Sequence, residues 1–402
     1  MMNMQKKTRL TVEDDAKNMS KSSTNKSKLL IVNDNMNIGG IQKSLLNLLN
    51  SVYQKYDVTL LLLNPNGSYM KDIPEEVRVV SANKLLMVFG ASKDELKQKP
   101  LLYIWKGICK IVLRVISKDK FLKFIFIFQK KIKGYNQAIS FTHPATDGNL
   151  RSCSAEFVLN VVQAPQKICF LHCDYSADTM HDIYTDRMLY KFQKIACCSE
   201  SVRTQLIKQL PDLDDRAYTV RNFYDLTIEN KKNDFEVDFE LNYINVLSVA
   251  RLSKEKGIER AVNVIGKLDR LDLRYYIIGD GPQRKILEKL IIEYKATDRI
   301  ILLGEMDNPY PFISKADYLL VPSFHEAAPM VFDEANIIGT AVISTNTLSA
   351  KEMISGGSSI VCANSEHGLW DVLSLVSKPE YRKQKSADNK MQLQQFVSLL
   401  KN

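Results

Sequence analysis

Short apolar runs rich in Val, Ile and Leu recur along the chain, and the segments between them carry apolar residues at helical spacing. Such runs, bounded by polar or turn-forming residues, are typical of buried strands. Regular alternation of strand and helix indicates βαβ units and parallel sheets. The predicted strands are 28–32, 58–63, 77–80, 137–141, 167–172, 195–198, 217–220, 245–249, 275–278, 300–303, 318–321, 341–344 and 359–362.

Breaks in this pattern divide the chain. Residues 1–27 are polar and charged and predict a flexible tail, and residues 223–243 are polar and acidic and predict a connection. The segments 28–222 and 244–378 each predict a doubly wound α/β domain, and 379–402 predicts a helix that crosses back to the first domain. We therefore expect an α/β protein of two parallel-sheet domains that face a central cleft.

Length and composition exclude several classes of protein. The 402 residues, 25% charged and 45% hydrophobic, suit two soluble globular domains. No apolar run approaches the ~18–20 residues of a membrane span, and residues 1–27 lack the apolar segment of a secretory signal. The seven cysteines form no C-x-x-C pair and no metal-binding spacing with histidine. These features favour a cytoplasmic protein, with a peripheral position on the inner face of the cytoplasmic membrane as a further expectation.

Positive charge is concentrated in the first half of the chain. The net charge is +9, and residues 1–220 contain 32 Lys and Arg against 21 Asp and Glu. Residues 102–133 alone contain nine Lys and Arg and a single acid, Asp119, interleaved with aromatic and aliphatic residues. This distribution predicts an anionic partner for the first half.

Two interpretations of residues 102–133 stay open. The spacing of Lys106, Lys110 and Arg114 indicates a basic helix face, which suits an anionic membrane surface where a lipid-linked acceptor would lie. Alternatively, residues 121–128 pack on the sheet while the lysines are merely solvated. Nucleic acid is disfavoured as a partner because no recognised binding motif accompanies the charge.

Candidate chemistry is concentrated in loops at the carboxyl ends of the second-domain strands, where ligands of open α/β sheets bind. Arg251 and Lys256 begin and end the loop after strand 245–249, and two cations so placed can clamp a diphosphate. In isolation this R-x4-K spacing is more often solvated surface. The glycines of Gly279-Asp280-Gly281-Pro282, after the next strand, permit a close backbone approach to a ligand, although such a sequence alone is more often a turn.

Two acids lie eight positions apart after strand 318–321. Glu326 lies in the loop, and Glu334 lies in a helix that we predict to open with Pro329 as its first residue. The start of a helix presents N–H groups to phosphate oxygens. Glu334 is placed to accept hydrogen bonds from ribose hydroxyls, and we expect its side chain and that of Lys256 to be exposed in the cleft.

In combination, these loops resemble the donor domain of glycosyltransferase family 4, and bacterial capsular, exopolysaccharide and O-antigen glycosyltransferases in particular. The resemblance rests on Arg251 and Lys256, the E-x7-E pair, and the segments Gly279–Pro282, Val321–Ser323 and Gly339–Ile343. It implies the GT-B fold with two Rossmann-like domains. It also implies a retaining hexosyltransferase that uses a nucleotide-activated sugar, with a UDP-sugar favoured, and that needs no catalytic metal or other cofactor.

The resemblance assigns roles by position. Arg251 and Lys256 would neutralise the departing diphosphate, Glu334 would hold the ribose, and Glu326 would contact the donor sugar. The backbone over the phosphates would be that of Pro329, Met330 and Val331. One departure concerns Glu326-Ala327-Ala328-Pro329, which lacks the glycine that commonly follows the first acid of this family.

The first domain resembles the same family through two shorter segments. Gly39 and Gly40, in Asn-Ile-Gly-Gly-Ile, match the glycine loop that approaches the donor phosphates and the acceptor. His172 ends a predicted strand and matches a histidine that contacts the donor sugar and aligns the reaction. The alternative for His172 is a half-buried structural histidine.

Three functions are therefore weighed. A glycosyltransferase that passes sugar to a glycan or lipid-linked acceptor would release nucleoside diphosphate only when that acceptor is present. A nucleotide-sugar epimerase would isomerise the sugar without one, and a non-catalytic binding protein would do neither. The complete set of Arg251, Lys256, Glu326 and Glu334 argues against loss of catalysis and favours the first.

Overall fold

The structure is a computed structural model that describes residues 10–11, 26–91, 93–175, 181–354, 357–380 and 384–401. The chain folds into two compact units. The first comprises Met1–Cys198, Val202–Phe223 and Lys390–Asn402, and the second comprises Ser199–Ser201 and Tyr224–Asn389.

The first unit is built on a parallel sheet with the strand order β1-β4-β3-β2-β5-β6-β7-β8. The strands predicted between residues 28 and 220 are all present, and their ends differ from the prediction by at most one residue. The strands are β1 Leu10–Thr11, β2 Lys28–Asn33, β3 Asp57–Leu62, β4 Arg78–Ser81, β5 Gln137–Ser140, β6 Gln166–Leu171, β7 Lys194–Cys197 and β8 Ala217–Thr219.

The edge strand β1 lies in the stretch predicted to be a flexible tail. Leu10 and Thr11 pair in parallel with Val80 and Ser81 of β4. A polar sequence does not prevent this pairing, because an edge strand offers unpaired backbone N–H and C=O groups. Of the predicted tail, residues 1–9 and 12–25 lie outside the described residues.

Helices cover the first sheet, and one of them comes from the end of the chain. Phe396 and Leu399 are fully buried against the sheet, and Lys194 Nζ donates to the Leu399 carbonyl at 2.9 Å. The C-terminal helix therefore packs in the first unit. The α-helices here are Gly40–Val52, Met87–Gly90, Lys93–Gln98, Pro100–Val112, Lys118–Phe126, Ser154–Val161, Ile183–Leu189, Glu200–Gln209 and Lys390–Leu400.

The second unit has a six-stranded parallel sheet with the order β11-β10-β9-β12-β13-β14. Its reversal of direction around β9 is the topological switch point of a doubly wound sheet. All six strands were predicted, with ends within two residues. They are β9 Ile244–Val249, β10 Leu273–Ile278, β11 Ile300–Gly304, β12 Tyr318–Val321, β13 Ala341–Thr345 and β14 Ile360–Cys362.

Apolar clusters lie on both faces of this sheet, as a doubly wound fold requires. Part of the predicted connection belongs to this core, because Phe239 stacks on Tyr276 with ring centroids 4.3 Å apart. None of the described helices is long and apolar enough to cross a membrane. The α-helices of this unit are Ile228–Lys231, Ile258–Lys267, Arg284–Glu293, Tyr310–Lys315, Met330–Ile338, Ala350–Met353 and Glu366–Leu375.

Candidate functional site

The loops that follow β9, β10 and β12 meet at one edge of the second sheet. β9 pairs in parallel with both β10 and β12, so the carboxyl ends of the three strands lie side by side. The backbone N–H of Phe324, after β12, donates to the Glu255 carbonyl in the β9 loop at 2.9 Å. The N–H of Leu252 in the β9 loop donates to the Asp280 carbonyl after β10, also at 2.9 Å. The three loops thus form one connected structure.

An ion pair joins two of the predicted residues. Lys256 Nζ lies 2.7 Å from Glu326 Oε1, and the Ser323 hydroxyl donates to the same oxygen at 2.7 Å. The Lys256 side chain is 29% exposed and that of Glu326 is 9% exposed. A half-buried cation is thereby held against a buried carboxylate, and both come from loops at the strand ends.

Arg251 shares this loop and is exposed. Burial alone would raise the pKa of Glu255, but a hydrogen bond from the Ser253 hydroxyl and the charges of Lys256 and Arg251 hold that pKa below its usual range. Both predicted cations therefore act on one carboxylate.

Glu334 lies in the second turn of helix Met330–Ile338, as predicted, but it is buried. Its expected exposure is therefore wrong, because the residue is only 5% exposed. Pro329 is the residue before the first helical turn rather than its first member. Met330 and Val331 fill the first turn, whose N–H groups have no acceptor within an α-helix.

Three glycines fix the shapes of the loops. A Cβ on Gly257, whose φ is +62°, would lie 2.0 Å from the Pro322 carbonyl oxygen. A Cβ on Gly279 would lie 1.9 Å from the Ala250 carbonyl oxygen, and one on Gly281 would lie 2.5 Å from that of Leu252. These glycines thus allow loops of the protein itself to pack closely against each other.

Sequence reasoning missed Arg260. Its guanidinium is buried, donates to the carbonyls of Pro322 and Ser323 at 2.7 Å each, and stacks over the Phe324 ring at 4.0 Å. It holds the backbone that leads to Glu326.

In the first unit, His172 directly follows β6, as predicted. Its ring stacks on Phe170, and its buried Nε2 has no hydrogen-bond partner among the described residues. Burial, followed by the charge of His143, lowers the pKa of His172 to about 3. The imidazole is therefore neutral at physiological pH and can give or accept a hydrogen bond.

Gly39 and Gly40 open helix Gly40–Val52, as the predicted glycine loop requires. A Cβ on Gly40 would meet no atom within 4 Å, whereas one on Gly39 would lie 2.7 Å from Gln42 Oε1. The space around Gly40 is open.

A buried acid at the end of β2 was not predicted. Asp34 accepts hydrogen bonds from the hydroxyls of Ser152 and Ser154, both at 2.8 Å. Burial raises the pKa of Asp34 to about 7, and the two serine hydrogen bonds offset only part of that rise. Its carboxyl group is thus partly protonated near neutral pH.

The basic residues of the stretch 102–133 do not all lie at the surface. Lys118 is fully buried, and its Nζ lies 2.8 Å from Glu156 Oε1. The Glu156 carboxylate also accepts from the Tyr184 hydroxyl at 2.9 Å. Lys118 is therefore a structural cation, while Lys120 and Lys123 are exposed.

Residues 229–390 match the sequence model of the family described as Glycosyl transferases group 1. The O-antigen biosynthesis glycosyltransferase WclY of Escherichia coli is 30% identical over 122 residues, which are 30% of this chain and 34% of that protein. The N-acetylgalactosamine-N,N'-diacetylbacillosaminyl-diphospho-undecaprenol 4-alpha-N-acetylgalactosaminyltransferase of Campylobacter jejuni is 28% identical over 131 residues, 33% of this chain and 36% of that protein. The matched segments thus span about a third of each of these relatives.

Among solved structures, Anabaena Alr3699/HepE in complex with UDP-glucose has a TM-score of 0.61 to this chain at 14% identity. The match covers 93% of this chain and 92% of HepE. At that identity the likeness shows the fold, and with the two Rossmann-like units it confirms the predicted GT-B fold. The chain therefore has the GT-B fold, and its residues 229–390 match the glycosyl transferases group 1 model.

Proposed function

We propose that this protein is a retaining, metal-independent glycosyltransferase of family 4. It transfers a hexosyl group from a nucleotide-diphosphate sugar, with UDP as the favoured nucleotide, to a glycan or lipid-linked acceptor in the synthesis of a bacterial surface polysaccharide. The observation that carries the proposal is the Lys256–Glu326 ion pair at the strand ends of a glycosyl transferases group 1 domain. The names of the E. coli and Campylobacter relatives support the acceptor class, and UDP-glucose in HepE supports the nucleotide.

The reaction needs positive charge where the diphosphate leaves. Breaking the glycosyl–phosphate bond adds negative charge to the leaving oxygen, and fixed cations aimed at it lower the barrier. We assign this task to Lys256 and Arg251, together with the backbone N–H groups of Met330 and Val331 after Pro329. The Gly281 backbone closes the same side of the nucleotide.

The two acids hold hydroxyl groups. Glu326 accepts hydrogen bonds from the donor sugar once the diphosphate draws Lys256 away from it, and Ser323 keeps its carboxylate in place. Glu334 accepts hydrogen bonds from the ribose hydroxyls. Neither acid is assigned as a covalent nucleophile, and the sugar is attacked on the face from which the diphosphate departs, which retains its configuration.

For the first unit, we propose that neutral His172 donates a hydrogen bond to the reacting sugar and that the backbone at Gly39 and Gly40 approaches the donor phosphates. The lowered pKa of His172 supports a positioning role rather than a general acid. We place the enzyme in the cytoplasm, with residues 102–133 directed to the anionic inner face of the cytoplasmic membrane.

The test is a donor screen followed by a transfer assay. Purified protein is mixed with a panel of nucleotide sugars, and those that raise its melting temperature are taken forward, because a ligand of the folded state stabilises it. Each is then incubated with and without polyprenyl-diphosphate saccharide acceptors, and nucleoside diphosphate release is measured. The proposal expects acceptor-dependent release that a chelator leaves unchanged, and a product whose anomeric configuration by NMR equals that of the donor.

Other outcomes separate the remaining functions. Isomerised nucleotide sugar without acceptor would identify an epimerase. Tight nucleotide-sugar binding with neither product would identify a binding protein. An inverted product would refute retention while leaving transfer intact.

A further inference from the structure

Two histidines of the first unit follow neighbouring strands at one level of the sheet. His143 lies three residues after the end of β5, and His172 directly follows β6. The two strands pair in parallel with Ser140 opposite Cys169, residues that are 29 positions apart, as His143 and His172 are. Because neighbouring strands lie about 4.8 Å apart, this register brings the two histidines side by side.

The aromatic rings beside them show that the register continues beyond the paired residues. Phe141 and Phe170, again 29 positions apart, stack with ring centroids 4.7 Å apart. The His172 ring lies 5.6 Å from that of Phe170 and 4.8 Å from that of Phe141. Since side chains two positions apart project from the same face of a strand, His143 and His172 continue the row that the two phenylalanines begin.

The pair lies at the edge of the first sheet where a ligand is expected. Strands β2, β5 and β6 are neighbours, and the strand order reverses between β2 and β5, which makes this the topological switch point of the sheet. The glycine loop around Gly40 follows β2. The Thr142 hydroxyl donates to Asn33 Oδ1 at 2.7 Å and ties the end of β5 to that of β2. The end of β5, which leads to His143, is therefore between the glycine loop and His172.

One nitrogen of each imidazole has no hydrogen-bond partner in the part of the chain that the structure describes. These nitrogens are His143 Nδ1 and His172 Nε2, and both are buried. Buried polar atoms in native proteins are nearly always hydrogen-bonded, so two such nitrogens at neighbouring positions indicate a binding role. Protonation does not relieve them, because burial, ahead of neighbouring charge, lowers the pKa of His143 to about 4 and that of His172 to about 3.

Each ring is therefore neutral at pH 7, with one N–H group and one lone pair. Two imidazoles that served only the packing of the core could satisfy these nitrogens with one N–H···N bond between them, and these two described residues form no such bond. A neutral pair of this kind matches a group that donates and accepts at once. A hydroxyl does both, whereas phosphate and carboxylate oxygens only accept.

We propose that His143 and His172 together hold one hydroxyl group of the sugar that is transferred. His172 Nε2 donates to the hydroxyl oxygen, and His143 Nδ1 accepts the hydrogen bond of the same hydroxyl. The inference rests on the proposed function, which gives a role to His172 alone, and it adds His143 as a positioning residue. It also defines the donor by its chemistry, because a deoxy sugar or a carboxylate at the contacted carbon would leave His143 Nδ1 unpaired.

The experiment removes the proposed hydrogen bond once from the protein and once from the sugar. The nucleotide sugar that most raises the melting temperature is titrated by calorimetry, together with its monodeoxy analogues and UDP. His143→Phe keeps a ring without polar atoms, and His143→Asn keeps an amide group three bonds from Cα, the position of Nδ1. The control is His367→Phe, the same change at an exposed position of the second unit.

Wild type is expected to bind one monodeoxy analogue about tenfold more weakly than the parent nucleotide sugar, because a buried hydrogen bond is lost. His143→Phe should bind the parent about tenfold more weakly and this analogue with no further loss, since the hydroxyl no longer has its partner. His143→Asn should lie within about threefold of wild type. His367→Phe should equal wild type, and all variants should bind UDP alike. A change in packing alone would not single out one analogue.

Nitrogen NMR of histidine-labelled protein tests the pair in the absence of ligand. At pH 7 both rings should be neutral with the proton on Nε2, and the ring protons of His143 and His172 should show a mutual NOE. Adding the nucleotide sugar should shift the His143 Nδ1 and His172 Nε2 resonances together.

The proposal is overturned by the absence of that NOE, by a proton on His143 Nδ1, or by a His143→Phe variant in which every analogue keeps its wild-type loss of affinity. Equal weakening of UDP and of the nucleotide sugar by His143→Phe would also reject it, since the effect would then be structural. A protein that no nucleotide sugar stabilises would instead reject the proposed function. A donor that binds without engaging His143 rejects the pair and leaves the transferase intact.

Discussion

Lys256 Nζ and Glu326 Oε1 lie 2.7 Å apart although 70 positions separate the two residues, and the contact joins the loops after β9 and β12. Parallel strands make this meeting possible, because β9 and β12 are neighbours in the sheet. Under the proposed function, the diphosphate would replace Glu326 as the partner of Lys256. We expect the pair to be the part of the domain most sensitive to substitution.

Changing Glu334 to Gln should weaken ribonucleotide binding. The substitution keeps the size of this buried side chain and removes its charge, so a hydrogen bond from a ribose hydroxyl to a carboxylate becomes one to an amide. We expect an affinity for UDP about tenfold lower by calorimetry. A 2′,3′-dideoxy analogue, which lacks those hydroxyls, should bind wild type and variant equally. Glu293→Gln, at an exposed position of another helix, is the control, and an equal loss with the analogue would remove Glu334 from the ribose site.

Gly257→Ala should destabilise the second unit. Its φ of +62° is unfavourable for alanine, and the new Cβ would lie 2.0 Å from the Pro322 carbonyl oxygen, so the backbone must shift. We expect a loss of about 2 kcal/mol or more in urea unfolding. Transfer should also fall, because the displaced backbone leads to Glu326.

The matched control is Gly107→Ala. Gly107 lies within helix Pro100–Val112, and a Cβ there would meet no atom within 4 Å. Alanine should therefore be neutral or stabilising by about 0.5–1 kcal/mol. If the two variants unfolded alike, the contact of the β9 loop with Pro322 would not be tight in solution.

Lys118→Met should destabilise the first unit strongly. It leaves the Glu156 carboxylate buried without its cation, and breaking one side of a buried ion pair costs about 3–5 kcal/mol. The double variant Lys118→Met/Glu156→Gln should recover much of that loss, because the uncompensated charge is gone. Denaturant unfolding of the two variants measures both values, and equal stability of the single and double variants would contradict the burial of this pair.

Two buried groups should give opposite pH dependences. The pKa of His143 is lowered from 6.5 to about 4, mainly by burial and then by the charges of Arg151 and Lys118. The neutral imidazole therefore contributes to the stability of the folded protein above pH 6.5. That contribution is lost as the pH falls toward 4. Asp34, whose pKa is raised from 3.8 to about 7, contributes below pH 3.8 and loses that contribution as the pH rises toward 7. Relative to wild type, His143→Gln should therefore gain stability as the pH is lowered through its window, and Asp34→Asn as the pH is raised through its own. Urea unfolding at several pH values measures both, and differences that stay constant with pH would show that neither group is buried as described.

The fold was predictable because the same apolar pattern recurs in nearly every strand. Each strand is a short apolar run, and an error of one residue at an end leaves its identity unchanged, as with Lys28–Asn33 and Ile244–Val249. Leu10–Thr11 could not be found this way, because a two-residue edge strand depends on backbone pairing and has no apolar pattern of its own.

The site was predictable only in part. The position of Lys256 and Glu326 at strand ends could be predicted from their spacing within the loops. The contacts that determine how far they are buried could not. Arg260 could not be predicted because its partners are backbone carbonyls, which have no sequence signature. The burial of Glu334 could not be predicted from the spacing of the two acids, which does not report the surroundings of the helix. The buried state of Lys118 depends on Glu156, a residue 38 positions away that spacing does not connect to it.

The central claim is that Lys256 and the groups around it bind a nucleotide diphosphate. Measuring UDP binding by Lys256→Ala and Lys254→Ala tests this claim most directly. Lys254 lies in the same loop, is exposed and carries the same charge, so the two variants lose equal charge two residues apart. Calorimetry should show Lys254→Ala binding UDP like wild type and Lys256→Ala binding at least about tenfold more weakly. Equal affinity of the two variants, or no UDP binding by wild type, would contradict the account.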